Sequence, residues 1–140
     1  MTKQQKRARY RVVDHTADVA LYVWGDTLED LFVNAATGMF AQMAGAQRAR
    51  AGVRRRITVE GDDYESLLVA WLSELLYLRE INREAYGRFE VCFPAPARLD
   101  GSAEGYAVPA FDRPIKAVTY HGLKVERKGR TYHATIVFDV

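Results

Sequence analysis

Asp14-His15-Thr16-Ala17-Asp18-Val19-Ala20-Leu21-Tyr22-Val23-Trp24-Gly25 sets a turn with two carboxylates and an imidazole directly against an apolar run. The run has the length and the β-branched and aromatic content of a strand. Gly25-Asp26 closes it with turn chemistry. Crowded charge beside a strand costs stability: two carboxylates about 5 Å apart repel by roughly 3 kcal/mol at an effective dielectric of about 20. A cation, a basic partner or a bound proton offsets such a cost. The alternative is a polar turn in which Asp14 or Thr16 accepts hydrogen bonds from neighbouring backbone N–H groups. Residue types leave both readings open.

Working outward, Tyr10 to Val13 reads as a short strand entering the turn, and residues 1–9 as a flexible basic N-terminus. After Gly25, Thr27 with Asp30 three residues on resembles a capping box. Leu28, Leu31, Phe32, Ala35, Ala36, Met39, Phe40 and Met43 then recur at helical spacing, with Gly45 as the C-cap. Val53 to Glu60 alternates as a strand. Arg55 interrupts its apolar set, so the inward face is expected to begin at Ile57. A second helix opens after Gly61 with Asp62 and Glu65 as its cap pair, and Leu67, Leu68, Trp71, Leu72, Leu75 and Leu76 form its apolar side.

Beyond Asn82 the pattern is all strand. Phe89, Val91 and Phe93 alternate with Arg88, Glu90 and Cys92, and Arg98 to Ala107 reads as a weaker, edge-like strand because Gly101 and Gly105 interrupt it. Ile115 to His121 resumes extended structure, Lys128-Gly129-Arg130 is a hairpin turn, and Tyr132, Ala134, Ile136 and Phe138 share one face of the last strand. The order predicts an α+β fold with two helices packed on a largely antiparallel sheet, in a single domain over residues 10–140.

Composition narrows the function. The chain has 140 residues, 49% hydrophobic and 27% charged, which is globular rather than disordered. No apolar run approaches a membrane span and no secretory signal opens the chain, so a cytoplasmic protein without a membrane partner is expected. The single cysteine, Cys92, excludes an internal disulfide and reads as a small packed hydrophobe. The net charge of +2 hides two basic clusters. Lys3, Lys6, Arg7, Arg9 and Arg11 make one; Arg48, Arg50, Arg54, Arg55 and Arg56 make the other. Such clusters meet RNA phosphates or an acidic protein, or are simply solvated. There is no glycine-rich phosphate loop and no nucleophile elbow.

The chain ends in Asp139-Val140, which offers the Asp139 side chain and the Val140 α-carboxylate within one residue. Hard oxygen donors of this kind suit calcium or magnesium. Asp18 joins them if the last strand pairs near the start of the Val19 strand. The alternative is a solvated chain end. His121 and His133 lie in strands, and no two histidines share the helical spacing of a zinc pair, which disfavours a metallohydrolase.

Four segments together resemble the archease family: Asp14-His15-Thr16-Ala17-Asp18-Val19, Trp71-Leu72-Ser73-Glu74-Leu75-Leu76-Tyr77, Ile115-Lys116-Ala117-Val118-Thr119-Tyr120-His121 and Asp139-Val140. The resemblance runs from about Tyr10 to the last residue. It implies a fold in which one strand-helix-strand-strand module is inserted into another. It implies a protein cofactor, not an enzyme, that promotes guanylylation and multiple turnover of an RtcB-type RNA ligase in tRNA splicing. By the same resemblance Asp18, Asp139 and Val140 hold a divalent cation, calcium first, with magnesium or manganese as alternatives. Asp14, His15 and Lys116 are then partner-facing, and tRNA is met only indirectly. An alternative function is an RNA-binding or chaperone-like modulator of a tRNA-modifying methyltransferase, acting through the basic clusters. Val140 stands where isoleucine is usual, which keeps the β-branch and the terminal carboxylate.

Overall fold

The computed structural model describes residues 8–13, 18–44, 52–108 and 115–140. In chain order the elements are β1 (Tyr10–Val13), β2 (Val19–Gly25), α1 (Leu28–Ala44), β3 (Val53–Glu60), α2 (Tyr64–Asn82), β4 (Glu84–Ala95), β5 (Arg98–Ala107), β6 (Ala117–Thr119), β7 (Glu126–Lys128) and β8 (Thr131–Asp139). The α+β class holds. The strands form two sheets rather than one: β1-β2-β8-β6, with β7 also on β8, and β3-β5-β4. All the pairings are antiparallel. The middle of the chain, β3-α2-β4-β5, is thus a strand-helix-strand-strand module inserted into a second one built from the chain's two ends.

The helices lie between the sheets. The first packs on β2 and on β4, and the second on β3, β4, β5 and β6. This explains the breadth of their apolar surfaces, since a helix covered on two sides must be apolar on both. Leu31, Phe32, Ala35, Ala36, Met39 and Met43 are fully buried on α1, and Leu67, Leu68, Trp71, Leu72 and Leu75 on α2. At the start of α1 the Thr27 hydroxyl accepts from the Asp30 N–H at 3.0 Å, as its cap role predicts. At α2 the cap is Asp63, not Asp62: its carboxylate accepts from the Ser66 N–H at 2.7 Å. Glu65, expected to complete that cap, instead accepts from the Val125 N–H at 2.7 Å and ties the β6–β7 connection to the helix. The Gly45 cap of α1 lies outside the described residues.

Three expectations fail for identifiable reasons. First, β5 is the central strand of its sheet, not an edge. Its glycines are there for close approach. A Cβ on Gly105 would stand 1.8 Å from the Ala85 carbonyl oxygen, and one on Gly101 2.7 Å from the Trp71 ring. Second, Cys92 is exposed, because its strand position alternates with the buried side of Phe89, Val91 and Phe93. Third, Arg55 does not end the inward face. Its Nε and Nη2 donate to the two carboxylate oxygens of Glu84 at 2.9 and 2.6 Å, and the Tyr86 hydroxyl donates to the same carboxylate at 2.7 Å.

Glu84 is only 4% exposed, so this pair closes one end of the inter-sheet layer. The Arg55 guanidinium is the first cause holding the Glu84 carboxyl below its ordinary value, with Tyr86 adding to it against the opposing effect of burial. A depressed carboxyl stabilises the fold fully above the unfolded carboxylate range, and that stabilisation is lost as pH falls through the lower folded value. Glu84→Ala strands the arginine and is expected to cost about 2 kcal/mol, below the range for fully dry pairs because Arg55 keeps contact with water. Urea unfolding at pH 7 and pH 3 checks this: the wild-type advantage over the variant shrinks at the lower pH.

Candidate functional site

The pairing of β2 with β8 decides where the acidic residues meet. Its register runs from Gly25↔Tyr132 to Val19↔Phe138. Leu21, Val23, Ile136 and Phe138 enter the core. Strand alternation then turns Ala20, Tyr22 and Trp24 on β2, and His133, Thr135, Val137 and Asp139 on β8, to the opposite face, where Ala20 and Val137 are themselves buried, Tyr22, Trp24 and His133 half-buried, and Thr135 and Asp139 exposed. The paired register ends at Val19↔Phe138, leaving Asp18 and Asp139 as the next residue on each strand. The last strand thus pairs near the start of the Val19 strand, which is the condition for Asp18 to approach the chain end.

On its other side Asp139 pairs with Ala117 of β6, and the Lys116 N–H donates to the Asp139 carbonyl oxygen at 2.7 Å. This bond and the pairing with Ala117 hold Asp139 against β6. Lys116, Asp139 and Val140 are exposed and Asp18 is half-buried. Asp14 and His15 lie outside the described residues.

The donors present suit a hard cation. Two carboxylates from adjacent strands, with the Val140 carboxylate one residue on, supply oxygen ligands only, which is calcium or magnesium chemistry. Among the described residues no three His, Cys, Asp or Glu side chains gather closely enough to hold a metal ion. A site here accordingly needs a donor of another kind, and the Val140 α-carboxylate is one.

The far end of the same face is aromatic. The Tyr22 ring lies 5.6 Å from Trp24 and 5.6 Å from His133. The Arg11 guanidinium sits 5.6 Å above it. The Tyr22 hydroxyl bonds the His133 Nδ1, and the Thr131 hydroxyl and His133 Nε2 are 2.6 Å apart. Burial holds the His133 ring below its ordinary pKa, helped by the Lys128 charge and opposed by Glu126. Sequence reading placed His133 on this face. It missed the contact with Tyr22, because partners 111 positions apart leave no local signal.

Among the described residues, the arginines of β3 do not share one face. Arg54 and Arg56 face outward from β3 and Arg55 inward. Arg54 ion-pairs with Glu90 at 3.6 Å and Glu104 at 3.9 Å. Arg54, Arg56 and Glu90 edge a shallow trough of about 670 Å³ on the outer face of the second sheet, where Arg98 is likewise paired, with Asp100 at 3.1 Å. Arg9 pairs with Asp26 at 2.9 Å. Lys3, Lys6, Arg7, Arg48 and Arg50 lie outside the described residues.

Residues 10–140 match the Archease protein family (MTH1598/TM1083). The chain belongs to the archease family. A curated archease of Methanosarcina barkeri is 34% identical over 148 residues, covering 100% of both chains. One from Pyrococcus furiosus is 38% identical over 121 residues, 81% of this chain and 85% of that one. In structure the chain is similar to Methanobacterium thermoautotrophicum protein 1598, with a TM-score of 0.80 at 27% identity, covering 96% of this chain and 100% of that one. A Thermotoga maritima archease described as a possible chaperone shares the fold at a TM-score of 0.64 and 22% identity, over 91% and 94% of the two chains. The four-motif resemblance is thus a family relationship. No described helix is long and apolar enough to cross a membrane.

Proposed function

We propose that this archease is an accessory protein that activates an RtcB-type RNA ligase in tRNA splicing, and that the acidic end of the first sheet is its working tip. One observation supports the reading: β2 and β8 pair as far as Val19↔Phe138, with Asp18 and Asp139 the next residue on each strand and Val140 exposed beyond them. Asp18, Asp139 and the Val140 carboxylate would hold a divalent cation, calcium first. When bound, the cation supplies positive charge that cancels their mutual repulsion and can meet nucleotide phosphates. The chain's own contribution is positional. The pairing of β8 with β2 and β6 supports this: it keeps Asp139 in a strand, and the Lys116 N–H donates to the Asp139 carbonyl oxygen. Asp14, His15 and Lys116 are proposed to face the partner, and tRNA is reached through the ligase.

This is accessory chemistry rather than turnover by the chain itself. The alternative, a modulator of a tRNA-modifying enzyme acting through Arg54, Arg55 and Arg56, loses its common surface, since Arg55 is committed to Glu84 on the inward side. The test is attachment of GMP to the ligase's active-site histidine, measured with the native chain, Asp139→Ala, and a chain extended beyond Val140. Both altered forms are expected to lose most of the stimulation, on the order of tenfold, while remaining folded. Full stimulation by both would place activation elsewhere on the surface.

A further inference from the structure

We propose that the aromatic end of the outer face of the first sheet is a stacking platform for single-stranded RNA. Tyr22, Trp24 and His133 stand side by side on the neighbouring strands β2 and β8, through the pairs Tyr22↔Thr135 and Trp24↔His133. The Tyr22 ring lies 5.6 Å from each of the other two, with interplanar angles of 35° to Trp24 and 30° to His133; all three rings are half-buried, and Arg11 from β1 sits over one face of Tyr22. Among the described residues the only element packed across β2 and β8 is α1, and it covers the opposite face.

Rings carried on adjacent strands of an antiparallel sheet are the device by which sheet surfaces stack two or three unpaired bases. Every base has a π-face, so such a surface tolerates sequence. Charge gives the occupant its footprint. Arg11 is exposed and serves a phosphate, whereas Asp18 and Asp139 at the other end of the face repel one. A short strand is thereby confined to the aromatic rows. Thr135, exposed and opposite Tyr22, presents a hydroxyl to a ribose 2′-OH, which favours RNA over DNA. The platform lies on the face that carries the acidic tip, but it does not depend on a ligase.

The chain has two tryptophans, and Trp71 is fully buried with its N–H donating to the Phe32 carbonyl at 3.0 Å. Quenching of tryptophan fluorescence by direct contact with an added ligand therefore reports Trp24. The experiment titrates the isolated protein with an eight-nucleotide oligouridylate, followed by tryptophan quenching and by anisotropy of a labelled oligomer. Saturable quenching is expected, with affinity falling at least about tenfold in Trp24→Ala and in Thr135→Asp. The second variant alters only an exposed position and keeps the test valid if the first fails to fold. The slope of log affinity against log salt is expected to flatten by about 0.7 in Arg11→Gln. Absence of saturable binding, affinity unchanged in folded Thr135→Asp, or equal affinity for oligothymidylate DNA would each overturn the proposal.

Discussion

Trp71→Ala is expected to remove about 4 kcal/mol of stability, the largest single loss among core truncations in this chain. The indole is wholly buried in α2 between the two sheets. It lies edge-on to Phe89 at 6.3 Å and bonds the Phe32 carbonyl of α1 at 3.0 Å, so one side chain joins both helices to the second sheet. Its ring also rests against β5, where only a glycine leaves room: a Cβ at Gly101 would come within 2.7 Å of the ring and 2.9 Å of the Glu90 carbonyl oxygen. Truncation therefore loses transfer energy, leaves a cavity over a bare strand and frees a helix–helix bond. Domains of this size are typically stable by about 5–15 kcal/mol, so the variant should sit near its unfolding threshold at 37 °C. Chemical denaturation read by far-ultraviolet circular dichroism measures the loss. A change under 1 kcal/mol would mean that the indole is not the joint between the layers.

The second large effect concerns the acidic end, and its sign depends on the cation. If the two carboxylates approach each other as proposed, Asp18→Asn or Asp139→Asn without divalent ions removes a like-charge repulsion and should stabilise the chain by several tenths of a kcal/mol. With saturating calcium the order reverses. Ligand at about a hundred times its dissociation constant stabilises the native state by about 2.7 kcal/mol. That gain belongs to the wild type alone if both carboxylates are needed to hold the ion. On the proposed reading, stability and cation binding pull in opposite directions at the same two residues. A variant that lowers stability equally with and without calcium would identify these aspartates as structural.

The readability of this fold from its sequence varied with the range of the interactions involved. Helical spacing in α1 and α2 and the alternation in β8 are local, and they located those elements and their core faces. Partners distant in sequence were not legible. Arg55 looked like a defect in a strand because Glu84, which satisfies it, lies 29 positions away. Gly101 and Gly105 looked like strand breakers, whereas the ring of Trp71 and the backbone at Ala85 require them in a central strand. The cap of α2 is Asp63 rather than Asp62, one position on, and Glu65 bonds the Val125 N–H, 60 positions away. At the site, the acidic turn and the acidic terminus were visible as separate oddities. Their convergence was conditional on a pairing that the register of β2 and β8 supplies.

The most direct measurement is the thermal midpoint of four forms of the metal-free protein, with and without calcium. They are the wild type, Asp18→Asn, Asp139→Asn and a chain extended beyond Val140. The account predicts that calcium raises the wild-type midpoint by about 5–10 °C and leaves the other three nearly unmoved. An equal rise in all four, or none in the wild type, would contradict the claim that the acidic end of the first sheet holds a cation.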